Sequence, residues 1–259
     1  MPDTTLNIAG SGMNVAEAQY EALVNNLVNA KSVGYKTVGA AVKTFPEFLA
    51  EIENAQNLGT DYPGPAKGPM SPKITSAYSD FSQGTSIITN RHLDFAIEGE
   101  GFFNVQTKNG EVFTRDGRFT INGEGVLVTS VGGYPVLGEK GPIIIPPDAK
   151  FEVMPTGQIL AEGNEIDRIK ITAFEKEDLG KLENAGGNFF RVPVDKDLTL
   201  KKEPVYQLRQ GVLEISNVKV VDEMLKMIAI QKMHEANVNV AKARDNMLQR
   251  SIEMGVALK

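Results

Sequence analysis

Residues 6–30 read LNIAGSGMNVAEAQYEALVNNLVNA, and the spacing of their apolar side chains decides the fold class. Leu6, Ala9, Met13, Ala16, Tyr20, Leu23, Leu27 and Ala30 follow one another in steps of 3, 4, 3, 4, 3, 4 and 3. Alternating threes and fours hold these residues on one stripe of a helix, the pattern of a heptad seam. The stripe is narrow, and the remaining surface is rich in Asn, with Glu17 and Glu21 as its only charges. Gly34 supplies a stop. Burying five large seam residues is worth about 7–15 kcal/mol. Ordering a helix of this length costs roughly 1–2 kcal/mol per residue in backbone entropy. Backbone hydrogen bonds offset part of that, yet a lone helix stays marginal in water. The stripe therefore predicts a helical partner.

A candidate partner stands at the other end of the chain. Ala229, Met233, Ala236, Val240, Ala243 and Met247 repeat in steps of 4, 3, 4, 3 and 4. Upstream, Val221, Leu225 and Ala229 are four apart, which interrupts the strict heptad. Ser216 or Asn217 is placed to cap this helix, Asp222 and Glu223 sit near the positive end of its dipole, and Gly255 marks its end. Its length from residue 217 to 252 is roughly 50 Å. Either the two ends pair within one subunit, or each pairs with other copies.

Between the helices the pattern is β. Leu93–Ile97, Phe102–Gln106, Glu111–Thr114, Arg118–Ile121, Val126–Thr129, Ile143–Ile145, Phe151–Met154 and Ile166–Phe174 are runs rich in β-branched and aromatic residues. Asn109-Gly110, Asp116-Gly117, Asn122-Gly123, Gly132-Gly133 and Thr156-Gly157 punctuate them as tight turns. Gly59 to Pro72 reads as an extended linker. The expected fold class is α+β. Discontinuous terminal helices (1–36 with 210–259) form a coiled-coil-like domain, 37–92 is an extended or β linker, and 93–209 is an inserted, mainly antiparallel β domain.

Few chemistries fit the composition. The net charge of −6 argues against a nucleic-acid partner, which needs a concentrated basic face. No cysteine is present, so disulfides, thiolate metal sites and cysteine nucleophiles are excluded. No apolar run is long enough for a transmembrane helix, and the start lacks the pattern of a cleaved secretory signal. His92 and His234 have no third ligand at recognisable spacing. Asp195-x-Asp197 lacks the Gly and Glu of a calcium loop. Gly99-x-Gly101 precedes a strand rather than a helix, so it shapes a turn or bulge. Arg115-Asp116-Gly117-Arg118 reads as a hairpin turn with a flanking salt bridge. Of Phe102 and Phe103, on opposite faces of a strand, one is expected in the core and the other is free to meet a neighbour. No catalytic residue, metal, cofactor or small-molecule substrate is expected. Asp94, Glu98 and Glu100 are the one carboxylate set that a wall-degrading glycosidase reading could use.

Three separated motifs resemble one family. Met13-Asn14 with Asn25-Asn26-Leu27-Val28-Asn29 and Gly34-Tyr35-Lys36 is similar to the N-terminal signature of bacterial flagellar rod and hook axial proteins. Leu93 to Phe103, followed by Phe113-Thr114-Arg115-Asp116-Gly117, resembles their central motif. Gly211-Val212-Leu213-Glu214, Ser216-Asn217-Val218 and Val221-x-Glu223-Met224 resemble the C-terminal one. Val28 and Ala30-Lys31 depart from the pattern. Within the family, Gly138-x-x-Gly141-Pro142-Ile143 and Ser216 to Lys219 look most like the proximal-rod branch, with the distal-rod branch as the alternative.

The resemblance implies a subunit exported unfolded through the flagellar export apparatus and stacked into a hollow helical shaft in the basal-body rod. Its partners would be further copies and other rod and hook axial proteins. The implied assembly contacts are Leu6, Met13, Tyr20, Leu23, Asn26, Leu27 and Tyr35 on the N-terminal side. On the C-terminal side they are Asn217, Val221, Leu225, Ala229, Met233, Val240 and Met247. A monomeric β-module adaptor with an intramolecular helical stalk is the competing architecture.

Overall fold

The computed structural model describes residues 4–43, 73–146, 151–193, 198–201 and 205–257; the linker 59–72 and Asp195-x-Asp197 lie outside the described residues. The chain is α+β and divides into two units. Residues 1–27, 38–78 and 219–259 make a helical unit, and residues 28–37 and 79–218 make a β unit. The chain therefore passes from one unit to the other four times.

The helical unit contains α1 (Thr4–Val28), the long α3 (Val220–Ala257) and a two-stranded sheet of β1 (Val38–Lys43) and β2 (Lys73–Ser79). The two helices run antiparallel: Gly12 stands against Asn237, Ala16 and Tyr20 share a cleft with Ile230 and His234, and Asn26 meets Glu223. Helix α1 buries Val15, Ala16, Leu23 and Asn26, close to the expected stripe. Helix α3 does not turn its expected stripe inward. Glu223 is buried, and Met227, Ile230, Asn237, Val238, Ala241 and Arg244 are half-buried. Ala229, Met233, Ala236, Val240, Ala243 and Met247 are exposed. Two stripes thus coexist on α3, and the polar hydrogen bond from Asn26 to Glu223 favours the one that faces α1.

The β unit is built from antiparallel pairs. Strand β4 (Phe95–Gly99) pairs with β15 (Tyr206–Gln210), and β3 (Ser86–Ile88) with β16 (Val212–Glu214). A five-stranded sheet runs β12 (Ile171–Thr172), β5 (Phe102–Thr107), β6 (Gly110–Thr114), β14 (Phe189–Arg191), β13 (Glu183–Gly186). Strands β7 (Phe119–Ile121) and β8 (Leu127–Thr129) form a hairpin, and β9 (Phe151–Val153), β10 (Gln158–Ala161) and β11 (Asn164–Arg168) a meander. The short helix α2 (Lys176–Leu179) precedes β13.

Most expected strands are present, with two departures. Ile143–Ile145 makes only isolated bridges, and the run Ile166–Phe174 breaks into β11 and β12. Phe102 and Phe103 are both buried, because β5 has a core on each face. Phe103 joins Phe95, Phe119, Leu127, Ile143 and Leu208, while Phe102 joins Phe113, Phe174, Leu182 and Phe190. Neither ring is available to a neighbour.

Candidate functional site

The densest polar arrangement lies in the β unit, beside the residues at which the chain changes units. Glu214, at the end of β16, is 1% exposed and accepts from two cations. Lys36 Nζ donates to its Oε1 at 2.7 Å, and Arg115 Nη1 to its Oε2 at 3.2 Å. Oε1 also accepts the Gly84 amide at 2.8 Å. Further donations go to backbone: Lys36 Nζ to Ser82 O at 2.7 Å, Arg115 Nη1 to Ile97 O at 3.2 Å, and Nη2 to Gly99 O at 2.8 Å. The Arg115 guanidinium also lies 5.3 Å from the Phe102 ring centroid, a cation–π contact. Burial pushes both Lys36 and Arg115 below their usual ranges, against the opposing pull of Glu214. Such a cluster adds little net stability, since desolvation consumes much of the attraction. Removing one partner, however, strands a buried charge.

Asn217 forms a second layer. Its Oδ1 accepts Thr37 N at 2.8 Å and Thr37 Oγ1 at 2.7 Å, and its Nδ2 donates to Asp80 O at 2.8 Å and Ser82 Oγ at 2.9 Å. Its amide is thus committed to the β unit and does not cap α3. Ser216 Oγ accepts Val218 N, which precedes α3 and is no cap of it, and Ser216 N donates to Ser32 O at 3.0 Å. Two glycines permit the close packing. Gly34 has φ +68°, and a Cβ there would overlap the Asp116 backbone; a Cβ on Gly117 would overlap the Phe95 carbonyl oxygen.

The tetrapeptide 115–118 therefore divides in a way its sequence does not announce. Arg118 and Asp116 form the expected salt bridge at 2.6 Å, but Arg115 turns inward to Glu214. The three carboxylates considered for catalysis are dispersed into separate contacts. Glu98 pairs with Arg209 and Glu100 with Lys201, while Asp94 is buried 3.9 Å from Arg91.

The expected assembly residues fall into distinct settings. Leu23, Asn26 and Tyr35 are buried within the subunit, and Met13, Tyr20, Leu27 and Asn217 are half-buried. Val221, Leu225, Ala229, Met233, Val240 and Met247 are exposed, Val221 and Leu225 at 69% and 61%. Leu6 lies on α1, its side chain outside the described residues. Lys36, Arg115 and Glu214 were not among the expected contacts. Each stands inside one of the three motifs, the only signal the sequence offered.

The motifs that converge here are shared with known proteins. "Flagellar hook protein FlgE/F/G D1 domain" matches residues 96–161, and "Flagellar basal body rod FlgEFG protein C-terminal" matches residues 209–254. The chain is 34% identical to the flagellar basal-body rod protein FlgF of Caulobacter vibrioides, over 96% of this chain and 95% of that one. It belongs to the flagellar basal-body rod protein family. It is also 32% identical to the FlgG rod protein of Borreliella burgdorferi, over 93% of this chain and 94% of that one. With FlgG of Bacillus subtilis the identity is 30%, over 94% and 96%. As a rod-family protein it is a structural component of the flagellar basal body. The C-terminal family match takes in Glu214, Asn217 and all of the exposed apolar stripe described above.

Proposed function

We propose that this chain is a non-enzymatic subunit of the proximal rod, joining copies of itself and other axial proteins into a helical shaft through coiled-coil-like packing of its terminal helices. One observation carries the reading. Helix α3 faces α1 with a partly polar stripe and leaves its more apolar stripe exposed, including Val221, Leu225, Met233 and Val240. A helix that had found its last partner would bury the apolar stripe first. An exposed apolar row of this kind marks a contact still to be made. Head-to-tail contacts that do not close on themselves generate helical assemblies rather than rings. Arrival through the flagellar export apparatus belongs to the same reading. A chain without cysteine has no disulfide to form along the way.

The double variant Leu225→Glu/Val240→Glu tests this. Both sites are exposed, so the purified monomer should keep its stability within about 0.5 kcal/mol. Co-assembly with rod proteins and restoration of swimming in cells lacking the chain should both fail. Swimming and assembly at the normal level would refute the proposal. The antiparallel contact of α1 with α3 is what favours the adaptor with an intramolecular stalk. That reading gains if the double variant leaves both the stability of the monomer and its co-assembly unchanged. The relatives carry both FlgF and FlgG names, so the proximal position rests on the motif likeness at 138–143 and 216–219. Crosslinking in intact basal bodies, read for the neighbouring rod protein, tests that choice.

A further inference from the structure

The four places where the chain changes units lie beside residues 28, 37, 79 and 218. Inside the β unit, the roots of all four are tied to one another. Ser216 N donates to Ser32 O, Gly34 N to Glu214 O at 2.8 Å, and Asp80 N to Thr37 O at 2.8 Å. Val33 and Ile215 form an isolated bridge, and Asn188 Nδ2 donates to Val33 O at 2.6 Å. Asn217 joins Thr37 to Asp80 and Ser82. Beneath these ties lies the charge cluster. Lys36 comes from the second root, Ser82 and Gly84 from the third, Glu214 from the fourth, and Arg115 from the end of β6 with its grip on β4 carbonyls.

The hydrogen bonding makes Glu214 the decisive member. Lys36 and Arg115 are both buried, and Glu214 is the only carboxylate hydrogen-bonded to either of them among the described residues. A buried cation without its hydrogen-bonded carboxylate is expensive, so Lys36 and Arg115 keep their buried positions at low cost only with Glu214 in place. Glu214 is also the last of the three in the chain, 178 residues beyond Lys36. Two cations contributed by separate segments therefore share one anion from a third.

We propose that Glu214 is a lock: by accepting hydrogen bonds from Lys36 and Arg115 together it fastens the roots of all four crossings to strands β4 and β6, and without it they release as one cooperative unit while the two aromatic and aliphatic cores stay folded. The inference concerns the subunit itself and stands whether or not the proximal-rod reading holds. A joint that opens all at once, rather than strand by strand, resists deformation up to a threshold and then yields. In a shaft this would set how firmly each β unit holds the chain leading to its helices.

Hydrogen exchange on the full chain, wild type against Glu214→Gln, tests the proposal. Amides in 32–37, 80–88 and 212–217 should exchange faster by a common factor, about a hundredfold for a stranded buried charge. Amides of the buried Val105, Val112 and Phe119 should change far less. Acceleration confined to β16, or unequal factors in the three segments, would overturn the proposal. If Glu214→Gln does not fold, Lys36→Met keeps the Arg115–Glu214 pair and should loosen the same three segments together by a smaller factor, about tenfold. Loss of folding in Lys36→Met as well would also overturn it, since the cluster would then belong to the core rather than to a separable joint.

Discussion

Asn26 of α1 donates from Nδ2 to Glu223 of α3 at 2.9 Å and to Val38 O at 2.8 Å, while its Oδ1 accepts Val38 N at 2.9 Å. One amide thus pairs with the backbone at the start of β1 as a neighbouring strand would, and also fixes the register of the helix pair. Both side chains are buried, and Glu223 has a second partner in Lys226 at 2.7 Å. Asn26→Ala leaves the Val38 groups and part of the Glu223 carboxylate unpaired, at a cost of about 2–3 kcal/mol. Asn26→Asp should not rescue it, because an aspartate cannot donate to Val38 O and repels Glu223. Urea denaturation of the three proteins checks both statements, and an aspartate variant as stable as wild type would contradict the assignment.

Glycine 117 has no steric slack. Its carbonyl accepts Phe95 N at 3.0 Å, and an added Cβ would meet the Phe95 carbonyl oxygen. Both groups are backbone, so neither can swing aside as a flexible side chain would. Gly117→Ala should destabilise the β unit by about 2–4 kcal/mol. A thermal midpoint within a degree of wild type would show that the chain relaxes around the contact.

The hairpin between β10 and β11 carries a correctable defect. Its two turn residues are Glu162 at φ 50° and Gly163 at φ 84°, the left-handed pair of a type I′ turn. Asn or Gly is suited to the first position, and Glu is not. Glu162→Asn should therefore stabilise the protein by about 0.5–1 kcal/mol. Calorimetry should show a raised midpoint, and a lowered one would mean that the Glu162 side chain makes a contact worth more than the strain.

Asp178 supplies a pH dependence with a definite sign. Its Oδ1 accepts Lys181 Nζ at 2.6 Å and its Oδ2 accepts Thr199 N at 2.7 Å; the lysine hydrogen bond, then the Thr199 amide, holds the carboxyl below its ordinary 3.8. The folded state thus binds fewer protons than the unfolded one just below that value. The stabilising contribution is complete above about pH 4 and is lost as the pH falls through the folded value. Wild type should exceed Asp178→Asn in denaturation midpoint at neutral pH, with the gap closing in acid. A gap that stays constant into acid would remove Asp178 from the titration.

Much of this fold is legible in the chain because the relevant signals are local. Helix α1 follows from its apolar spacing, and the β5–β6 hairpin from the turn signal at Asn109-Gly110, although its loop falls one residue earlier, at Lys108-Asn109, with Gly110 already paired to Thr107. The strands with weak local signal were missed: β13 is Glu-Asn-Ala-Gly, all exposed, and β15 alternates around the single buried Leu208. Their pairing partners lie far away in the chain, β15 reaching back to β4. A long-range partner leaves no periodicity of its own, so only the assembled sheet reveals it. The same holds for Phe102 and Phe103, whose shared burial depends on β5 having a core on each face.

By itself the sequence determined that helices stand at both ends of a β-rich middle, since heptad spacing and turn dipeptides act over a few residues. The family was also contained in the order of three short motifs. What the tertiary structure decided is which groups those motifs bring together. Lys36, Arg115 and Glu214 read as ordinary surface charges one at a time, and they become a buried cluster only when segments 178 residues apart are adjacent. It also decided that α3 turns its more polar stripe toward α1, because Asn26 and Glu223 satisfy each other there. That choice leaves the apolar stripe outside. Burial of charge and the choice between two stripes depend on what lies across space, and no local pattern encodes that.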